Sequence, residues 1–504
     1  MSTKNMDATK EQIERLLKET SDTIGCLYTT ILEDISILNA CDDSVSSLLK
    51  LIRELRRDTS YILVDLHSAL HSLLSTERPI EKRFHLMFIS ADMLECYKLL
   101  YNFGNKQKHT VWFKIGSVLV DSKDAKDTNK NAHSELLIKI YETISSMLEA
   151  IGNAQEKESR DLTYHYDDDL LKVYHCILKF DSEEKVIERM IQFIDVMRSI
   201  LFFCNIAEDV ETLKGHSLPP VINNNIPFFP FQTLIAEKLD GEGKLREALN
   251  DIINKTQRID QAARLKEGLK NMQNYLQNNW PDSKMPELDN MAALSNTHLL
   301  LQIAMADIAT ATLAYLNAGS EHEYPLVLRR LTITRVSTLC HIYGYNEAEH
   351  EKSLWNAIII ILPNTNDALN EEVRKIGKEL DGLVNENDKA DRLLYVHLLD
   401  NKTKRSNVPL IVKKVENMNP FSEFDKAKML INVMSRIQKF LKALMDELGK
   451  NAHEQAKKSK AELKSKVQAM RDLINKSECS VTQRTEFIQQ FDRFDSFVDS
   501  VYRE

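Results

Sequence analysis

Residues 101–112 read YNFGNKQKHTVW, and residues 343–355 read YGYNEAEHEKSLW. With one extra residue in the second stretch, Phe103 falls on Tyr345 and Trp112 on Trp355. The chain holds three tryptophans, and two of them occupy this one position. Upstream, DLHSALHSLL from Asp65 lies over DIATATLAYL from Asp307, an offset of 242 that carries Tyr101 onto Tyr343. Downstream, RDLTYH (160–165) lies over RLLYVH (392–397) at an offset of 232, and FIDVMRSI (193–200) matches LINVMSRI (430–437). The offset shrinks where the first copy carries the polar loop VDSKDAKDTNKNAH (120–133) and the second the shorter LPNTNDALN (362–370). Polar surface loops tolerate insertion at little cost, so duplicated units diverge there. The expectation is one helical unit copied in tandem, the two copies related by a pseudo-twofold.

Each copy reads as several helices. Apolar residues recur near every 3.6 positions over 61–75, 83–101, 134–151 and 184–203. The second copy offers 297–317, 326–343, 353–362, 368–385 and 423–447. Asp181 and Glu184 form a capping-box start, and Asn419-Pro420 marks the matching start in the second copy. VWFKIGSVLV (111–120) is the one stretch with strand-like composition. LPPVINNNIPFFPF (218–231) breaks any regular helix and separates the copies. Helical segments follow at 232–255 and 258–278, and a charged amphipathic run covers about 437–476. The expected organisation is therefore all-α: repeat 1 over 1–215, a connector with helices over 216–290, repeat 2 over 291–448, and a helical arm over 449–504.

Composition narrows the function. The 504 residues exceed one ordinary core, and 43% hydrophobic with 28% charged is a globular balance. Only 13 glycines and 11 prolines favour long helices over tight turns. The net charge of −9 argues against broad nucleic-acid binding, which needs a basic face, and leaves RNA only a local cleft. Seven scattered cysteines without a CxxC pair suit a reducing cytoplasm rather than a disulfide framework or zinc site. The polar N-terminus is not a signal peptide, and the most apolar run, Ile358–Leu362, is far too short to span a bilayer, so no membrane partner is expected.

The Arg–His pairs Arg160/His165 and Arg392/His397 carry the chemistry to be weighed. Five positions along a helix place two side chains about 140° apart, so both reach one cleft only if the arginine bends back or the helix ends between them. An Arg-x4–6-His signature in an all-helical chain, with Asp161 after the arginine and Tyr164-His165-Tyr166-Asp167 around the histidine, resembles the HEPN superfamily. The resemblance implies metal-independent RNA cleavage at a site where two motifs face each other. In a doubled chain Arg160, His165, Arg392 and His397 would make that site. The histidines would move the proton during attack of the 2′-OH, and the arginines would stabilise charge on the phosphate. Repeat 2 departs from the pattern, with Leu393 after the arginine and Leu398-Leu399 after the histidine. The competing reading is structural: the arginines salt-bridge or cap helix ends, the histidines are partly buried, and Asp167–Asp169 start the next helix.

Other groups weigh less. His67 and His71 stand i, i+4 on one helix face, a spacing metal ligands use, but no Glu lies between them and repeat 2 has Ala309 and Leu313 there. Asp167–Asp169 lacks the glycine turn and distal Glu of a calcium loop. Arg335 and His341 satisfy the looser Arg–His spacing. Trp112, Trp355, Tyr101 and Tyr343 read as core anchors. There is no P-loop, GxGxxG, GxSxG or kinase signature. The reading is an interaction protein, sensor or scaffold, with a protein partner or a second copy of itself, no cofactor and no metal. The alternative is a HEPN-like ribonuclease.

Overall fold

Long runs poor in glycine and proline leave the backbone little choice but helix, and the computed structural model is all-α. It describes residues 3–76, 78–123, 128–153, 183–220, 238–241, 243–255, 257–279, 286–362, 367–400 and 402–476, with isolated positions at 236, 485, 488–490 and 492–493. The first half comprises α1 (Thr3–Ala40), α2 (Ser47–Leu74), α3 (Pro79–Leu100), a 3-10 turn (Gly104–His109), α4 (Val111–Lys123), α5 (Thr128–Asn153) and α6 (Glu183–Leu213). Two connector helices follow, α7 (Lys244–Asn254) and α8 (Gln257–Asn279). The second half comprises α9 (Pro286–Leu316), α10 (Tyr324–Ile342), α11 (Glu347–His350), α12 (Leu354–Ile361), α13 (Asp367–Leu383), α14 (Glu386–Val396), α15 (Val408–Glu416) and α16 (Pro420–Lys476). Among the described residues, extended pairing is confined to the isolated bridge between Leu399 and Ser406.

The packing of one half reappears in the other. In the first, α2 packs on α3, α4 and α6, and α5 packs on α6. In the second, α9 packs on α10, α12 and α16, and α13 packs on α16. The turn that opened the sequence comparison has the same local geometry twice. At the end of α3 the amides of Tyr101 and Asn102 both donate to the Tyr97 carbonyl; at the end of α10 those of Tyr343 and Gly344 both donate to the Leu339 carbonyl. The chain then reverses through a left-handed residue, Asn102 at φ 61° or Gly344 at φ 87°. A short helical turn follows, then a hydroxyl-capped helix. Thr110 Oγ1 accepts from the Phe113 amide (3.3 Å), and Ser353 Oγ accepts from the Asn356 amide (3.1 Å).

Each of those helices plants its tryptophan in the core, Trp112 at 0% exposure and Trp355 at 1%. Trp112 stacks on Tyr141 of α5, donates to Ser145 Oγ at 2.9 Å and meets Phe203 of α6 edge-on. Trp355 lies against Phe440 of α16 at 6.3 Å between ring centres. The FIDVMRSI–LINVMSRI offset of 237 carries Phe203 onto Phe440, so corresponding phenylalanines touch corresponding tryptophans.

Four expectations change. VWFKIGSVLV is helix α4: Trp112, Ile115 and Leu119 are buried at helical spacing while Phe113 and Val120 face out. Burial of one helical stripe outweighs β-branched composition. The boundary drawn at 448/449 falls inside α16, which runs unbroken over 57 residues, and the one at 290/291 falls inside α9. Apolar stretches are longer than Ile358–Leu362 suggests: Lys185–Leu213 and Leu288–Leu316 both have the length and composition of a membrane span. The apolar window of the second is 94% buried within the fold, which makes it a core helix; that of the first is 50% buried. The capping box at Asp181 lies outside the described residues.

The helices α2, α3, α9 and α10 form the centre of the molecule. Over Thr59–Leu70 and Tyr324–Leu339 every residue is buried, whichever way it points. A helix buried all round must satisfy its charged residues inside the protein.

Candidate functional site

The central helices carry Asp65, Arg83, Asp92, Asp307, Arg329 and Arg330, each at most 3% exposed. Asp65 of α2 accepts from Arg329 Nη1 at 2.6 Å and from Arg330 Nη2 at 2.7 Å, both on α10. Asp92 of α3 lies 3.7 and 3.8 Å from the same two guanidinium groups. Reciprocally, Asp307 of α9 accepts from Arg83 of α3 at 3.0 Å. Asp65 and Asp307 are the two aspartates that open the matched segments, and each reaches an arginine of the opposite half. This crossed pairing joins the halves through buried, hydrogen-bonded charge. Sequence patterning missed it; the one available signal was the recurrence of Asp at the offset of 242.

Arg392 and His397 sit on the rim of this centre. Asn385 caps α14, its side chain accepting from the Asn387 amide at 3.0 Å. Arg392 is 7% exposed, and its Nε donates to Ser337 Oγ on α10 at 2.7 Å. His397 ends the helix at φ −105° and ψ 99°, so its ring leaves the helical course. Its Nδ1 lies 3.4 Å from Glu95 on α3, and its carbonyl accepts from Asn407 Nδ2 at 2.6 Å. Burial pushes the Glu95 carboxyl up, but hydrogen bonds from His397 and Lys98 outweigh it and hold the group below the ordinary range. Between them the Tyr395 carbonyl accepts two bonds from Arg329. The pair therefore fastens α14 to α10 and α3 through separate partners. Arg160 and His165, the other half of the expected site, lie outside the described residues, as do Asp167–Asp169.

Arg335, from the looser Arg–His spacing, is buried and bridges Asp388 (2.8 Å) and Glu423 (3.0 Å), tying α10 to α14 and α16. His67 and His71 converge on Glu323 at the start of α10, at 3.8 and 2.9 Å. Glu323 draws His71 above its ordinary pKa against the opposing effect of burial, while burial keeps His67 below its own. Among the described residues no group of three or more His, Cys, Asp or Glu side chains is arranged to hold a metal ion.

One cavity opens at the seam of the two halves and the connector. It encloses about 350 Å³ and is lined by Ser72, Arg78, Glu81, His85, Asn250 and Thr310, among others. Its charges are matched in place. Arg78 donates to both oxygens of Glu81 at 2.7 and 2.8 Å, and Arg246 pairs with Asp240 at 2.6 Å. His85 is buried, and that burial, with the nearby Arg330 cation, holds its ring down to about 3. At neutral pH it is an uncharged imidazole with one donor and one acceptor nitrogen.

Compared with protein-family models, with curated proteins and with solved structures, the chain matches none.

Proposed function

We propose that this chain is a non-catalytic interaction protein, a sensor or scaffold of the cell interior, built from two copies of one helical unit. The repeated packing pattern, the repeated tryptophan–phenylalanine contact and the crossed Asp–Arg pairs support the duplication. The observation that carries the interaction reading is α16. The stripe that joins it to the core runs from Phe424 through Val433, Ile437 and Leu441 to Leu444, and then the helix continues for more than 30 residues, along which Val467 is buried again. At 1.5 Å per residue the whole element is about 85 Å long, more than its buried stripe needs. Between Gly449 and Lys476 eight Lys and Arg stand against three Asp and Glu, in a chain whose net charge is −9. Lys457, Lys458 and Lys466 are exposed there, as are Met470 and Leu473. A cationic helix with exposed apolar side chains suits an acidic protein surface, with charge speeding encounter and the apolar residues holding the complex.

The test is a photo-crosslinking residue introduced at Leu473 in the full-length protein inside cells. The reading expects adducts with an acidic protein, lost when Lys457, Lys458 and Lys466 are all changed to Glu. Adducts that are absent, or indifferent to that charge reversal, overturn it.

The HEPN-like ribonuclease reading rests on His397. Its side chain is 31% exposed and held by a carboxylate, an arrangement in which an imidazole can exchange protons. Labelled RNA incubated with the protein in EDTA decides between the two. Intact RNA is the expected result, and cleavage that His397→Ala abolishes would replace the interaction reading.

A further inference from the structure

The seam cavity holds hydrogen-bonding capacity that the fold does not use. Thr310 of α9 is 2% exposed, lines the cavity, and its Oγ1 has no partner among the described residues. A buried hydroxyl without a partner carries its full desolvation cost, so such groups are rare unless something else completes them. His85 of α3 is 4% exposed and lines the same cavity, and among the described residues no hydrogen bond engages its ring.

The two asparagines on the wall are oriented by arginines. Asn250 Oδ1 accepts from Arg78 Nη2 at 2.6 Å, and Asn317 Oδ1 accepts from Arg246 Nη1. Each amide oxygen thus faces its arginine, which turns the NH₂ groups away from it as donors. Ser72 Oγ and Ser75 Oγ donate to carbonyls in their own helix, and Thr76 Oγ1 donates to Glu81, so all three retain acceptor lone pairs. Leu313 and Ala314 supply an apolar strip beside them.

From this arrangement we infer that the cavity is a binding site for an uncharged, polyhydroxylated small molecule of nucleoside size or less. An anion finds both guanidinium groups already neutralised by Glu81 and Asp240, and a cation faces the same neutralised walls. Hydroxyl groups both donate and accept, which suits the mixture of amide donors, hydroxyl acceptors and neutral imidazole. A volume of about 350 Å³ lies at the low end of the range for small-molecule sites. His85 belongs to the first half, Asn250 to the connector and Thr310 to the second half, so a bound molecule would clasp all three. Binding to that folded arrangement alone would raise stability by mass action.

The probes are D-ribose, D-glucose and adenosine at millimolar concentration, with sodium phosphate as the anionic comparison. Thermal melting and titration calorimetry of the full chain supply the readouts. At least one neutral probe is expected to raise the melting temperature saturably, while phosphate does not. Thr310→Val should melt at or above the wild-type temperature without ligand, because its hydroxyl is unpaired. The same variant should bind the probe about five- to tenfold more weakly, the loss of one neutral hydrogen bond. Asn250→Ala, which removes one partner of Arg78 but leaves its pairing with Glu81, should weaken binding by a similar factor and gives a second readout from a different helix. If no neutral probe shifts the wild type, the cavity holds water only and the inference falls. It falls equally if phosphate alone binds, or if Thr310→Val keeps wild-type affinity.

Discussion

Asp65 takes hydrogen bonds from Arg329 and Arg330 in a setting where all three side chains are at most 3% exposed. A buried pair contributes little net stability over an apolar replacement, but removing one member strands the other. Asp65→Asn therefore costs about 3–5 kcal/mol in urea unfolding; a loss below about 1 kcal/mol would mean that Asp92 alone satisfies both arginines. Glu323 and His71 provide a pH-dependent counterpart. The hydrogen bond that His71 donates to Glu323 raises His71, so its contribution is complete below the ordinary histidine value and is lost as pH rises through the folded value. Glu323 is lowered, because its bond to His71 outweighs burial, so its contribution is present above the ordinary carboxyl value and is lost as pH falls through the folded one. The pair is strongest between the two ordinary values, 4.5 and 6.5. His67 runs the other way, since burial disfavours its charged form. In Glu323→Gln the titration midpoint of His71, followed by NMR, should fall; an unchanged midpoint would show that the carboxylate does not set it. Most of this scale was illegible beforehand. His67 and His71 stood out by spacing, but Glu323 comes from 252 residues away in sequence for His71.

At the scale of an element, the reversal after α3 and α10 uses Asn102 in one half and Gly344 in the other. The two positions do not tolerate a side chain equally. A Cβ on Gly344 would lie 2.7 Å from backbone atoms of Glu349 and His350. Gly344→Ala thus combines left-handed strain with a backbone clash and should cost about 1–3 kcal/mol or more. Asn102→Gly keeps the conformation and should stay within about 1 kcal/mol. Equal costs in chemical denaturation would show that the two turns are built differently. Tandem tryptophans made these turns legible in the sequence, because so rare a residue at matched positions is informative. Helix α4 was less legible. Its valines and isoleucine fit either state until Trp112, Ile115 and Leu119 are seen to share one buried face.

Across the whole molecule, the stripe by which α16 joins the core ends at Leu444, with Leu448 packed at its margin; beyond it Val467 is the one buried side chain among the described residues. Truncation after residue 449 should leave helical content per residue and the melting temperature within a few degrees of the full chain. A large fall in melting temperature, read by circular dichroism, would show that the arm braces the bundle instead of projecting from it. The arm was readable as charged and amphipathic. Its continuity with the last core helix was not, because Gly449 reads as a helix stop, yet α16 runs through it unbroken.

Periodicity and the scarcity of Gly and Pro were enough to set an all-helical chain, because those properties act along the backbone over a few residues. The tertiary structure alone decided that Asp65 and Asp307 cross to arginines of the other half, that Arg392 and His397 are held by Ser337 and Glu95, and that Thr310 and His85 share a cavity. These contacts join residues far apart in the chain. Hydrogen bonds and ion pairs depend on which faces meet, and local patterning does not specify that.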